Sequence, residues 1–312
     1  MENVNRLGVP PLGGGGGVVD GGTVIIIVGP TASGKTALSL KLAQQLNTDI
    51  ISADSRQCFR ELNIGVAKPT TEELQQVRHY FINSHSIYDV VNAQVFEQYA
   101  LTAADEIFRH NKYAVMVGGT GLYIKAFCEG LDEIPEVPEQ IRQNIINGYK
   151  ANGMVWLQQQ VQESDPEFWA VAEQQNPQRL MRALEIKTGT GKSVLHFRKA
   201  KPIERPFNII KIGISLPRHT LYNNINKRVD DMVGSGLVEE AKAMLPNRDI
   251  NALQTVGYKE LFNFFDGAGT LAEAVEQIKL NTRHYAKRQL TWFQKDSTIN
   301  WMAATDVNLA AF

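Results

Sequence analysis

Cysteine is almost absent from this chain: Cys58 and Cys128 are the only two in 312 residues. Two thiols at no metal-ligand spacing build neither a disulfide framework nor a zinc site, and they fit a reducing compartment. Long apolar runs are missing too, since no stretch approaches the roughly 18 residues of a membrane span. The N-terminus lacks the basic-then-apolar order of a secretory signal. No membrane partner is expected, and a cytoplasmic location follows by default. Neither charge is in excess, with 32 Lys and Arg against 33 Asp and Glu. No global field draws the chain to nucleic acid, so any polyanion site must be a local patch. What is present is 43% apolar residues, enough for one large domain or one domain carrying an insertion.

Residues 1–22 hold Pro10-Pro11, five consecutive glycines and Gly21-Gly22, a composition that predicts a disordered tail. The run Thr23-Val24-Ile25-Ile26-Ile27-Val28 is short, β-branched and apolar, as a central strand of a parallel sheet should be. After a glycine loop, Ala37, Leu38, Leu40, Leu42, Ala43 and Leu46 recur at helical spacing, and a second strand, Ile50-Ile51-Ser52-Ala53, follows. A third strand, Tyr113-Ala114-Val115-Met116-Val117, runs into Gly118-Gly119, and a fourth, Phe207 to Leu216, reads Ile209-Ile210-Lys211-Ile212-Gly213-Ile214. Strands alternating with helices predict an α/β, doubly wound parallel sheet. Between 131 and 202 only helical patterns occur, over 137–149, 155–161 and 177–187, which predicts an inserted helical subdomain. The core then comprises residues 23–130 and 203–312. Beyond 216 the pattern is helical, with breaks at Gly234-Ser235-Gly236, Pro246 and Gly267-Ala268-Gly269.

Gly29-Pro30-Thr31-Ala32-Ser33-Gly34-Lys35-Thr36 matches G-x-x-x-x-G-K-[ST] and stands between a predicted strand and helix, where a phosphate loop (P-loop) must stand. Its backbone N–H groups would converge on a di- or triphosphate such as that of ATP, Lys35 adding charge and Thr36 ligating Mg²⁺. A nucleotide hydrolase should end another strand in a metal-holding acid, yet Val117 leads into Gly118-Gly119-Thr120-Gly121. Those glycines either admit a ligand to the backbone, with Thr120 offering a hydroxyl, or form an ordinary turn. Asp54 follows the second strand on the same sheet edge. It is a candidate general base or, equally, a turn cap with Ser55. A base beside a diphosphate suits alkylation of a weak amine.

Six segments in order then resemble the tRNA dimethylallyltransferase family: the phosphate loop; Ile51-Ser52-Ala53-Asp54-Ser55; Ile64-Gly65-Val66-Ala67-Lys68-Pro69; Gly118-Gly119-Thr120-Gly121-Leu122-Tyr123; Asn176-Pro177-Gln178-Arg179-Leu180-Met181-Arg182-Ala183-Leu184-Glu185; and Val256-Gly257-Tyr258-Lys259-Glu260. The resemblance implies Mg²⁺-dependent transfer of a dimethylallyl group from dimethylallyl diphosphate to N6 of adenosine 37, beside the tRNA anticodon. It makes Asp54 the base, places Thr120 against the flipped adenosine, and gives the diphosphate to the phosphate loop and Arg218. It assigns contacts with the anticodon stem-loop to Asp54-Ser55-Arg56-Gln57, Thr120, Arg142, Gln178-Arg179-Leu180-Met181-Arg182 and Gln254-Thr255-Val256-Gly257-Tyr258-Lys259. Val66 departs from the family's common Thr, and Asn224 from a frequent Arg. Without cysteines for the zinc finger of many animal and fungal members, the chain resembles the shorter bacterial form. A monomer is expected.

Lys279, Arg283 and Lys287 share one helical face within a stretch, ending at Lys295, that also carries Arg288 and no acid. They either track phosphates or form a solvated basic face. Lys192, Arg198, Lys199, Lys201 and Arg205 form a second basic stretch. The rival readings are a small-molecule P-loop kinase, a prenyltransferase acting on free adenine nucleotides, and a nucleotide-dependent RNA-binding module.

Overall fold

The structure is a computed structural model, and it describes residues 21–198 and 202–307. Residues 1–20 of the tail expected over 1–22, and Lys199 and Lys201 of the second basic stretch, lie outside the described residues. The described residues fall into two compact units, one within Met1–Glu129 and Ile203–Phe312, the other within Gly130–Pro202.

The first unit opens with β1 (Thr23–Val28), α1 (Lys35–Gln45), β2 (Ile50–Ala53), α2 (Thr71–Gln76), β3 (His79–Tyr80), α3 (Ala93–Phe108), β4 (Tyr113–Gly118) and α4 (Gly121–Glu129). The second unit holds α5 (Glu139–Ser164), α6 (Pro166–Trp169) and α7 (Pro177–Thr190). The first resumes with β5 (Asn208–Ile214), α8 (Arg218–Gly234), α9 (Leu237–Met244), α10 (Tyr258–Phe265), α11 (Leu271–Phe293) and β6 (Ile299–Met302). Among the described residues the strands form one parallel six-stranded sheet in the order β3-β2-β4-β1-β5-β6.

β1 is central because its side chains suit burial on both faces: Val24, Ile25, Ile26, Ile27 and Val28 expose no surface. Ile25 and Ile27 pack with Leu38, Leu42 and Ala43 of α1 and with Val115 and Ile212 of the neighbouring strands. Register matters for function. Val28 lies opposite Gly118, and Ala53 also lies opposite Gly118, so β1, β2 and β4 end side by side at one edge. Two strands were not legible in the sequence. β3 has two residues, and β6 mixes Asn300 and Trp301 into a four-residue edge strand.

In the second unit α5 is interrupted at Gly153, whose φ of 74° only glycine adopts freely. Asp165 caps α6, and Asn176 caps α7 by accepting from the Arg179 N–H at 3.2 Å, with Pro177 opening the helix and Gly191 closing it in the left-handed region. Leu157, Val161, Phe168, Leu180, Leu184 and Ile186 form this unit's own core.

Candidate active site

The phosphate loop leaves β1 through Gly29, at φ 147°, where a Cβ would sit 3.1 Å from the Ile214 carbonyl oxygen. It enters α1 through Gly34 at φ 89°, an N-cap with no side-chain cap and no acid in the first helical turn. The first N–H groups of an eleven-residue helix are thus left to an anion, at the positive end of the helix dipole. The Ser33 hydroxyl, buried in the loop, has no hydrogen-bond partner among the described residues. The Lys35 ammonium turns back to the Pro30 carbonyl at 2.5 Å. Burial first, and the Arg228 guanidinium second, push its pKa down to about 7, against the opposing pull of Asp54.

Asp54 stands one residue past β2. Its Oδ1 accepts the N–H of Arg56 at 2.8 Å and of Gln57 at 3.3 Å, so the turn-capping role is real. Its Oδ2 accepts no hydrogen bond among the described residues, which leaves a basic oxygen on a carboxylate fixed in place by its own turn. Thr120 binds this turn to the end of β4: its N–H donates to the Ala53 carbonyl at 3.2 Å, and its Oγ1 accepts the Ser55 N–H at 3.0 Å. The neighbouring glycines serve packing rather than an open backbone. A Cβ at Gly118 would lie 2.1 Å from the Ala53 oxygen, one at Gly119 2.0 Å from Gln289 Nε2, and one at Gly121 2.1 Å from the Trp292 ring.

Two of these partners escaped the sequence reading. Gln289, buried on α11, accepts the Thr31 N–H at 2.8 Å and donates to the Gly119 carbonyl at 3.0 Å. Arg228, on α8, reaches the Thr31 hydroxyl at 3.3 Å. The signal was there in each case, as a long polar residue set beside a buried helical stripe: Leu221, Ile225 and Val229 around Arg228, and Ala286 and Phe293 around Gln289. Asn224, one turn before Arg228, donates to the Ala32 carbonyl at 3.2 Å, so both side chains of α8 meet the loop. Arg218 lies at the exposed start of α8 and stacks on Tyr222, 5.1 Å from its ring centre. Tyr285 also borders the site, its phenol pushed above the usual range by burial and then by the Asp54 charge.

Several residues expected to contact RNA are buried or have partners within the chain. Leu180 and Tyr258 expose no surface, Leu180 in the core of the second unit and Tyr258 bonded to Glu240. Gln57 spends its amide on the Ser52 hydroxyl and the Val66 and Ala67 carbonyls. Lys279 is paired with Asp230 at 2.8 Å and Glu276 at 2.9 Å, and Arg283 donates to Asn226, so this stripe faces α8 until Lys287, which is exposed. Arg205 is locked to Glu97 at 2.6 Å and to two carbonyls of α4. Arg142, Gln178, Arg179, Arg182, Gln254 and Lys259 are exposed, while Ser55, Arg56, Met181, Thr255 and Val256 are half-buried and Gly257 is buried.

Among the described residues no cluster of three His, Cys, Asp or Glu side chains could cage a metal. The oxygens of Thr36 and Ser33 fit only a small hard cation that keeps waters and shares its other ligands with a substrate phosphate.

A parallel six-stranded sheet whose first strand runs through a phosphate loop into a helix, with one carboxylate just past the end of β2, defines an α/β protein of the phosphate-loop class. The model of one family, IPP transferase, matches residues 57–296, and the chain belongs to that family. It is 50% identical over 275 residues to the tRNA dimethylallyltransferase of Christiangramia forsetii, covering 88% of this chain and 91% of that one. It is 48% identical over 281 residues to that of Flavobacterium psychrophilum, covering 88% and 92%. The crystal structure of a tRNA isopentenylpyrophosphate transferase from Bacillus halodurans matches with a TM-score of 0.66 at 37% identity, over 93% of this chain and 92% of that one.

Proposed function

We propose that this chain transfers the dimethylallyl group of dimethylallyl diphosphate to N6 of adenosine 37 in tRNA, releasing diphosphate, in the cytoplasm and as a monomer. The adenine N6 lone pair forms the new bond to the prenyl carbon, the bond from that carbon to the diphosphate oxygen breaks with its electron pair, and the N6 proton passes to Asp54. Asp54 Oδ2 is the oxygen left to take it, because Oδ1 is held by two backbone N–H groups. Thr120 orients the acceptor beside it. The loop N–H groups, Lys35 and Arg228 take up the charge that develops on the leaving diphosphate. Mg²⁺ bound at Thr36 would lend further positive charge to the diphosphate oxygens.

The observation that carries the reading is the free carboxylate oxygen on a fixed turn beside an uncapped phosphate loop, in a chain whose curated relatives are named for this transfer. The acceptor is stacked in its loop and must be flipped out, which suits recognition of a large RNA by exposed Arg142, Gln178, Arg179 and Arg182 of the second unit, a tRNA-binding insertion. Arg179 and Arg182 are held by Glu173 and Glu185, pairs that an RNA phosphate can replace. Incubating the protein with labelled dimethylallyl diphosphate and, separately, tRNA or AMP tests this directly. Label should enter tRNA and not AMP, and ATP should not be hydrolysed. Equal labelling of AMP would assign a free-nucleotide acceptor, and Lys35-dependent ATP turnover would return the chain to the kinases.

A further inference from the structure

We propose that Gln289 is a positioning residue that holds the phosphate loop and the turn carrying Asp54 in one register, so that the leaving group and the base stay correctly spaced. The inference rests on the transfer reading above. The Gln289 side chain is buried and both ends of its amide are used: Oε1 accepts the Thr31 N–H at 2.8 Å, and Nε2 donates to the Gly119 carbonyl at 3.0 Å. The partners fix the amide's orientation, because a flipped amide would set N–H against N–H and oxygen against oxygen. Gly119 is a glycine for this contact, since a Cβ there would fall 2.0 Å from Nε2.

Hydrogen bonds continue from each end of the amide. On one side Thr31 also receives Arg228, and the loop leads to Lys35. On the other, Gly119 is followed by Thr120, which ties Ala53 and Ser55 on either side of Asp54. No backbone hydrogen bond joins residues 29–36 to residues 118–121 among the described residues, so one side chain carries the polar link between the two loops. By taking the Thr31 N–H, Gln289 also assigns diphosphate binding to the N–H groups further along the loop.

The test uses the full chain, tRNA and dimethylallyl diphosphate, with Gln289→Glu and Gln289→Leu. Glutamate keeps an acceptor for Thr31 but sets a carboxylate against the Gly119 carbonyl; when protonated it restores the donor. Around this position stand Tyr285, itself hydrogen-bonded to Gln289, and Arg288 on α11, Asp54 and Arg56 on the facing turn, and Lys35 and Arg228 at the loop. Gln289→Leu lacks the Tyr285 bond as well and shares every other group, so the ratio of Gln289→Glu to Gln289→Leu at each pH isolates the new carboxyl. Single-turnover transfer should fall on the order of 10–100-fold in both variants, with the KM for tRNA within about threefold of wild type. The Gln289→Glu deficit alone should shrink as pH falls. Independently of activity, hydrogen exchange should show residues 29–36 and 118–121 losing protection together in Gln289→Leu. Wild-type rates in both variants, or loss of protection in one loop only, would overturn the inference. A wild-type chain that prenylates no tRNA would overturn the transfer reading instead, while the exchange result would still decide the link.

Discussion

Glu240 offers a sharp test of how the site is supported. Its carboxylate, on α9, accepts four hydrogen bonds: the backbone N–H groups of Asn63 at 3.1 Å, Ile64 at 2.9 Å and Gly65 at 2.9 Å, and the Tyr258 hydroxyl at 2.5 Å. Two of the family-like segments meet here, and Gly65 is a glycine because a Cβ would lie 2.6 Å from the Tyr258 ring. Glu240→Ala leaves the buried phenol without a partner, at about 1–3 kcal/mol, and strands three N–H groups that water satisfies in part. The total should be about 3–5 kcal/mol. With roughly 2 cal/mol/K of unfolding entropy per residue, a unit of this size loses about 2 °C per kcal/mol, so Tm should drop by about 6–10 °C. Tyr258→Phe should cost about 1–2 kcal/mol, and the double variant should fall short of the sum by a similar amount, because the orphaned hydroxyl is then gone. The damage should reach the site as well, since Val66 and Ala67 hold Gln57, and Gln57 holds Asp54. Scanning calorimetry with the four proteins decides. A Glu240→Ala loss below 1 kcal/mol, or strict additivity, would refute the reasoning.

Lys35 gives a pH signature. Its ammonium is charged below about 7 and increasingly neutral above it, whereas a bound anion favours the charged form, so diphosphate binding at pH 8 should take up a proton and weaken as pH rises. Calorimetry in buffers of different ionisation heat should show up to one proton more for wild type than for Lys35→Arg. Arg228→Met should abolish protection of the protein by diphosphate against thermal unfolding, and Arg218→Ala should leave most of it, as measured by the Tm shift on adding diphosphate. Replacing Lys279 by Met should lower Tm with no change in the salt slope of tRNA binding, because its ammonium is held between Asp230 and Glu276 and its side chain is largely buried, whereas Arg179 is exposed. Arg179→Ala should instead reduce that slope by about 0.7–0.9 for each lost phosphate contact.

β1, β2, β4 and β5 were legible because strands buried on both faces must be β-branched and apolar, and the phosphate loop because its glycines answer a local backbone need. β3 and β6 were not, since two- and four-residue edge strands carry too few residues to show a period. In the candidate site, Lys35 follows from the glycine loop that opens α1 and Asp54 from the end of β2. Gln289 and Arg228 act on residues 258 and 197 positions away; the buried stripe of each helix marks them as inward-facing, but not which loop residue they meet. Lys279 shows the converse. A basic stripe was visible, but one of the two acids that pair with Lys279, Asp230, sits on another helix.

Whether Asp54 takes the N6 proton during prenyl transfer to tRNA is decided by single-turnover transfer to an anticodon stem-loop with wild type and Asp54→Asn. Asparagine keeps an acceptor for the Arg56 and Gln57 N–H groups, so folding and stem-loop binding should persist while the transfer rate falls on the order of 10²–10⁴-fold. A folded Asp54→Asn protein that prenylates the stem-loop at the wild-type rate would contradict that role.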